Sequence, residues 1–209
     1  MGNKLIVYGA GSNGGKFAYD YREEGKYKQY EFVGFVDDEK KGNVAHFPIL
    51  GAREDLPRLK AEGIDNIIVF LLKDAWERLS MCEKIAALGF NFPSFHPYLP
   101  SSVKLGAGVL MHEQATVLGH DITIRDHTVI GPHVTIEGGS IIGRGVILCP
   151  YSFVGYLAGV GDAATIYPRG SVAPGKLIGA GSIVGPHVWQ NRALPPRTTG
   201  LRRPIQAFP

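Results

Sequence analysis

His120 and Asp121 are neighbours in this sequence and have the side-chain types that proton transfer needs. An imidazole exchanges a proton near neutral pH, and a carboxylate beside it orients the ring and steadies the imidazolium. Eighteen residues later Gly138 offers a backbone N–H with no side chain over it. Such an N–H is a donor for the oxyanion that forms when an amine or hydroxyl attacks a thioester. Together the three suit acyl transfer, with His120 as base, Asp121 as its orienter and the Gly138 N–H as oxyanion donor. His120 also reads as an ordinary solvated corner residue. Five of the seven histidines, His112, His120, His127, His133 and His187, lie in the same part of the chain.

A second group sits near the start. Gly9-x-Gly11-x-x-Gly14 follows a strand-like run and opens a helix-like one. Backbone N–H groups at a helix N-terminus attract phosphate, and glycines let it come close. Gly9, Gly11, Ser12, Asn13 and Gly14 therefore form a candidate phosphate cradle, with Asp37 and Asp38 at the end of the next strand to meet a ribose or base. The same glycines would also serve a plain strand-to-helix turn. A dinucleotide site uses two mononucleotide halves, and roughly ninety residues hold little more than one. A nucleotide-sugar fits better than NAD.

These residues need elements to position them. From Leu118 to Trp189 an aliphatic residue recurs every six positions, as Leu118, Ile124, Ile130, Ile136, Ile142, Leu148 and onward to Val184. One inward aliphatic per hexad suits a triangular coil of short parallel strands. Residues eighteen apart then stand one above another, which places His120 over Gly138, Tyr156 and Pro174. A second corner column holds Pro132, Pro150, Pro168 and Pro186. The fifth hexad position is small or aliphatic except at Lys176, where a local bulge is expected. The frame slips by one residue near Met111.

Before the coil, strand and helix alternate. Strands are expected over 4–8, 31–36 and 66–71, with a short one near 91–95, and helices over 16–24, 54–62 and 75–88. That order implies a parallel sheet with helices on its faces. The fold expected is an N-terminal α/β Rossmann-like domain, residues 1–95, followed by a C-terminal left-handed parallel β-helix, residues 96–209, with a non-repeating tail.

Composition narrows the function. Of 209 residues, 44% are hydrophobic and 20% charged, with net charge +3, so neither nucleic acid nor an acidic partner is indicated. Two cysteines, Cys82 and Cys149, make no disulfide framework, and a reduced, cytoplasmic protein is expected. No leader or membrane-spanning run is read, and nothing calls for a metal. The tail carries Arg192, Arg197, Arg202 and Arg203 without an acidic residue. It suits the phosphates of CoA or a solvated terminus.

Taken together, Leu5-Ile-Val-Tyr-Gly-Ala-Gly, Phe35-Val-Asp-Asp, Pro48-Ile-Leu-Gly, His96-Pro97, the hexads and Gly200 resemble the two-domain hexapeptide-repeat acyltransferases that acetylate sugars. These include sialic acid O-acetyltransferases and UDP-4-amino-sugar N-acetyltransferases. The resemblance implies a homotrimer, acetyl-CoA as acyl donor, a nucleotide-sugar acceptor held by the N-terminal domain, and polysaccharide biosynthesis as the setting. It also implies a corner histidine followed by Asp or Glu as base, with a glycine one coil later at the acetyl site. His120-Asp121 with Gly138 has that local pattern. Registered end to end, however, the family's histidine falls at 136–139, where this chain has Gly138. The alternative is a non-catalytic nucleotide-sugar-binding homologue that has lost the usual histidine. A nicotinamide-linked oxidoreductase is suggested by the glycine turn alone.

Overall fold

The computed structural model describes residues 3–201, which form two compact units divided between Pro93 and Ser94. The N-terminal unit runs β1 (Lys4–Tyr8), α1 (Ser12–Arg22), β2 (Glu31–Val36), β3 (Asn43–Val44), β4 (Phe47–Gly51), α2 (Leu56–Ala61), β5 (Asn66–Val69) and α3 (Ala75–Ala87). The sheet order is β3-β4-β2-β1-β5, parallel except where β3 meets β4. The central strand β1 buries Leu5, Ile6, Val7 and Tyr8, and β5 is buried throughout. Such unbroken apolar runs belong to strands covered on both faces. Asp74 caps α3, its carboxylate accepting the Glu77 N–H at 2.7 Å. Among the described residues no helix is long and apolar enough to cross a membrane.

Three features differ from the sequence expectation, the first being that the short strand near 91–95 is reduced to single bridges at Asn91 and Phe95. Helix α1 begins at Ser12 rather than at 16, so the second half of the glycine turn is helical. A β-carbon on Gly14 would lie 2.1 Å from the Gly9 carbonyl oxygen, so only glycine lets the helix start so tightly against the strand end. The β3–β4 hairpin was not expected. Its two turn residues, Ala45 (φ 48°) and His46 (φ 71°), adopt the left-handed conformations of a type I′ turn without the usual Asn-Gly signal.

The second unit is a parallel β-helix of hexapeptide coils. Its short strands stack into three ladders. One runs from Lys104–Leu105 to Leu177–Ile178, one from Leu110–Met111 to Thr199–Gly200 and one from Thr116–Leu118 to Trp189–Gln190. The arrangement fits a left-handed β-helix. Ile124, Ile136, Ile142, Val154 and Val172, among the inward aliphatics, are at most 1% exposed and belong to one continuous core. The inward polar residues are mostly satisfied. The Thr128 hydroxyl donates to the Gly143 carbonyl at 2.7 Å and the Ser140 hydroxyl to the Gly155 carbonyl at 2.9 Å.

The coil's first irregularity is not where the hexad pattern puts it. Strand partners in the first coil are nineteen residues apart, as in Lys104 with Thr123, Leu110 with Val129 and Thr116 with Thr135. From Thr123 they are eighteen apart, as in Thr123 with Ile141 and Val129 with Ile147, until the last turn, where Ile183 pairs with Thr199 and Val184 with Gly200 at sixteen. The inward residue opposite Ile136 is therefore Val117, and Leu118 is 49% exposed. Leu118 still pairs at nineteen, with Glu137. The Gly139 N–H meets the His120 carbonyl at 2.9 Å, the same corner bond that Tyr151 makes to Pro132 at 3.0 Å and Leu157 to Gly138 at 3.0 Å. The added residue is thus Gly119 (φ 95°), not one near Met111. Nor is there a bulge at Lys176. The ladder passes it in register, Gly159 with Leu177 and Val160 with Ile178, and the Lys176 residue is half-buried.

Candidate active site

Gly119, His120 and Asp121 make the corner that the added residue enlarges. Gly119 and Asp121 (φ 58°) both take left-handed conformations, and the peptide between them carries His120 outward. The imidazole Nδ1 lies 2.7 Å from Asp121 Oδ2, with the two side chains 78% and 79% exposed. A carboxylate at that distance accepts a hydrogen bond from Nδ1–H, so the lone pair of the neutral ring sits on Nε2. That is the tautomer a general base needs.

The column under His120 is the expected one. A β-carbon on Gly138 would lie 3.4 Å from the His120 carbonyl oxygen, 3.5 Å from its nitrogen and 3.6 Å from the Tyr156 ring. Tyr156 is followed in turn by Pro174, since the Gly175 N–H reaches the Tyr156 carbonyl at 2.8 Å. The ladders make no use of the N–H at this corner position. Prolines at 132, 150, 168, 174 and 186 occupy it without loss. Where an N–H is present, carboxylates take several of them. Glu137 accepts the Tyr156 N–H, Asp162 the Arg144 N–H and Asp126 the Ala107 N–H, each at 2.8 Å. The Gly138 N–H has no partner among the described residues. It is a donor left over by the coil, on the corner between His120 and Tyr156.

The N-terminal residues divide differently. Gly11 is the N-cap of α1, with no side-chain cap and no acidic residue in the first turn, so no carboxylate occupies the leading N–H groups; Ser12 and Asn13 are exposed and Gly14 is buried. Gly9 (φ 105°) and Gly14 are needed for the turn itself. The two aspartates are already engaged. Asp37 accepts the Ala10 N–H at 2.7 Å and the Glu39 and Lys40 N–H groups at 3.0 and 2.8 Å. Burial works against its charge, but these backbone donors hold its carboxyl below the ordinary carboxylate range.

Asp38 accepts the Tyr8 hydroxyl at 2.7 Å, the Arg53 N–H at 3.0 Å and the Arg53 Nε–H at 2.8 Å. Burial opposes its charge too, but Arg53 and Tyr8 keep its pKa low, while burial and then Asp38 push the Tyr8 phenol up. Both aspartates line a cleft of about 320 Å³ with Tyr8, Arg53, Lys73 and Glu77. The Tyr8–Asp38–Arg53 grouping was not legible in advance, because thirty residues separate the first two.

Of the tail arginines, Arg192 and Arg197 lie about four coils, on the order of 19 Å, along the axis from His120. Arg202 and Arg203 lie outside the described residues. Among the described residues no three His, Cys, Asp or Glu side chains gather as a metal site.

The profile of the bacterial transferase hexapeptide family (six repeats) matches residues 121–156. Residues 121–156 are thus similar to the bacterial transferase hexapeptide repeat. No curated protein matches the sequence. Among solved structures, this chain superposes on the acetyltransferase domain of PglB from Neisseria gonorrhoeae with TM-score 0.68 and 24% identity, covering 95% of this chain and 97% of that one. The same domain in complex with acetyl coenzyme A gives TM-score 0.53 and 25% identity over 96% and 97%. PerB from Caulobacter crescentus, in complex with CoA and GDP-perosamine, gives TM-score 0.62 and 21% identity over 94% and 92%. This chain thus shares its fold, over nearly its whole length, with these structures.

Proposed function

We propose that the protein is an acyltransferase that moves an acetyl group from acetyl-CoA to an amino or hydroxyl group of a nucleotide-activated or sialic-acid-like sugar. The observation that carries this reading is the His120–Asp121 pair on the corner whose backbone packs against Gly138, an N–H with no partner among the described residues. Likeness to domains solved with CoA, acetyl-CoA and GDP-perosamine supports the two substrates.

The chemistry balances with these groups alone. Nε2 of His120 takes the proton from the attacking amine or hydroxyl as its lone pair adds to the thioester carbon. The Gly138 N–H donates to the carbonyl oxygen as it gains charge. Collapse of the adduct breaks the carbon–sulfur bond, and the imidazolium returns its proton to the thiolate. Asp121 stabilises the imidazolium in between. An amine acceptor needs no strongly perturbed base, since the thioester is already activated. The N–H groups at the start of α1 would hold the acceptor's phosphates. Asp37 and Asp38, committed as they are, would shape the neighbouring cleft and leave lone pairs for a ribose. The resemblance carries with it a trimeric assembly, a cytoplasmic location and a setting in polysaccharide biosynthesis.

The test is release of CoA thiol with acetyl-CoA and a panel of UDP-, GDP- and dTDP-amino sugars, products being read by mass spectrometry. Replacement of His120 by Ala is expected to lower kcat by about 10²- to 10⁴-fold. Unchanged turnover in that variant would remove the histidine from the mechanism.

A second reading has one observation behind it. In end-to-end register Gly138 stands where the resembled family carries its histidine. A nucleotide-sugar-binding protein without chemistry would show ligand-dependent melting shifts and no transfer with any donor.

A further inference from the structure

The strand leaving the His120 corner leads to a basic hollow that the reaction above does not use. It measures about 210 Å³ and is lined by Lys104, Thr123, Arg125, Asp126 and Arg144, among others. Lys104 is the strand partner of Thr123 one coil earlier, so both sit on the same ladder face. The charge is lopsided. The Asp126 carboxylate is engaged by the Ala107 N–H at 2.8 Å. Arg144 is held to the next coil by Asp162, through Nε at 3.3 Å and its backbone N–H at 2.8 Å. Lys104 and Arg125 are exposed and have no ion-pair partner among the described residues. A pinned guanidinium flanked by two unpartnered cations is a receptor for phosphate oxygens.

We propose that this hollow is a diphosphate-binding subsite for one of the two transfer substrates, an inference that rests on the acetyl-transfer reading. Thr123 and Arg125 are three and five residues from His120, at most about 10 and 16 Å along an extended chain. The subsite therefore holds a charged group tethered to the reacting atom, not the reacting atom itself. Both CoA and a nucleotide-sugar carry a diphosphate in such a position, and the hollow selects for that shared group. Because it is open to solvent, its grip weakens with salt.

The experiment is calorimetric titration of wild type, Lys104→Ala/Arg125→Ala and Lys104→Arg/Arg125→Lys with CoA, pantetheine, UDP, GDP and inorganic pyrophosphate. The doubly truncated variant is expected to bind either CoA or the nucleoside diphosphates about tenfold more weakly. Pantetheine binding should be unchanged and the charge-conserving variant should retain most of the affinity. Loss confined to CoA assigns the subsite to the acyl donor, and loss confined to UDP or GDP assigns it to the acceptor. Equal affinities in wild type and the truncated variant for every ligand would overturn the subsite while leaving acetyl transfer standing. If wild type ignores CoA but binds pyrophosphate in a Lys104- and Arg125-dependent way, the subsite stands and the transfer reading falls. A wild type that binds none of the five overturns both.

Discussion

The backbone of His120 lies directly over Gly138, so near that a β-carbon there would touch the histidine's own carbonyl oxygen at 3.4 Å. No side chain intrudes between the imidazole's coil and the N–H below it. In the proposed reaction this arrangement joins the base to the oxyanion donor through two neighbouring rungs of one stack.

Gly138 can be tested at its nitrogen alone. The coil takes proline at the same corner position in Pro132, Pro150, Pro168, Pro174 and Pro186. Gly138→Pro should therefore fold with a stability change within about 1 kcal/mol, yet lose about 10²- to 10³-fold in kcat as the donor disappears. Gly138→Ala keeps the N–H and meets only ordinary contacts, and should lose far less. Steady-state kinetics beside thermal melts decide it, and equal kcat in the two variants would exclude the N–H.

Asp121→Asn is a clean probe of orientation. Asparagine tolerates the left-handed conformation held at φ 58°. With both side chains near four-fifths exposed, the melting temperature should not move. A fall in kcat of roughly 3- to 10-fold, with KM for acetyl-CoA unchanged, is expected if Asp121 steadies the imidazolium.

Ser152 and Ser140 face the same core with opposite consequences. The Ser152 hydroxyl is buried without a hydrogen bond, whereas that of Ser140 reaches the Gly155 carbonyl at 2.9 Å. Ser152→Ala should stabilise the coil by about 0.5–1 kcal/mol and Ser140→Ala should destabilise it by about 1–2 kcal/mol, read by denaturant unfolding.

Asp37 gives the N-terminal unit an acid limb. Its carboxyl is held below the usual range when folded, so its contribution is complete above the unfolded value near pH 4 and drains away as pH falls through the folded one. Asp37→Asn should cost about 1 kcal/mol at pH 7, allowing for partial exposure, with its melting temperature converging on wild type below about pH 4. A constant gap across that range would show that the ionised form is not what matters.

The coil was legible because one inward aliphatic per hexad admits few other folds, and the column of His120, Gly138, Tyr156 and Pro174 followed from it. The misplaced slip has a simple cause. Val117 and Leu118 are both apolar, so the pattern stays unbroken on paper while the inward role passes from one to the other. Lys176 misled in the opposite sense, because its charge hides an alkyl stem that a half-buried position tolerates. Asp37 and Asp38 were found as a pair, but their donors, Ala10, Tyr8 and Arg53, are set by the sheet and not by spacing.

Gly119 bears on how such spirals acquire reactive loops. Each rung matches only the rung beside it, so one turn of the spiral can be longer than the next without any mismatch travelling further. Lengthening a single corner pushes a two-residue tongue into solvent and leaves the interior spine untouched. A glycine inserted ahead of another corner dipeptide should raise a second tongue in the same way, which makes the surface of this prism editable one storey at a time.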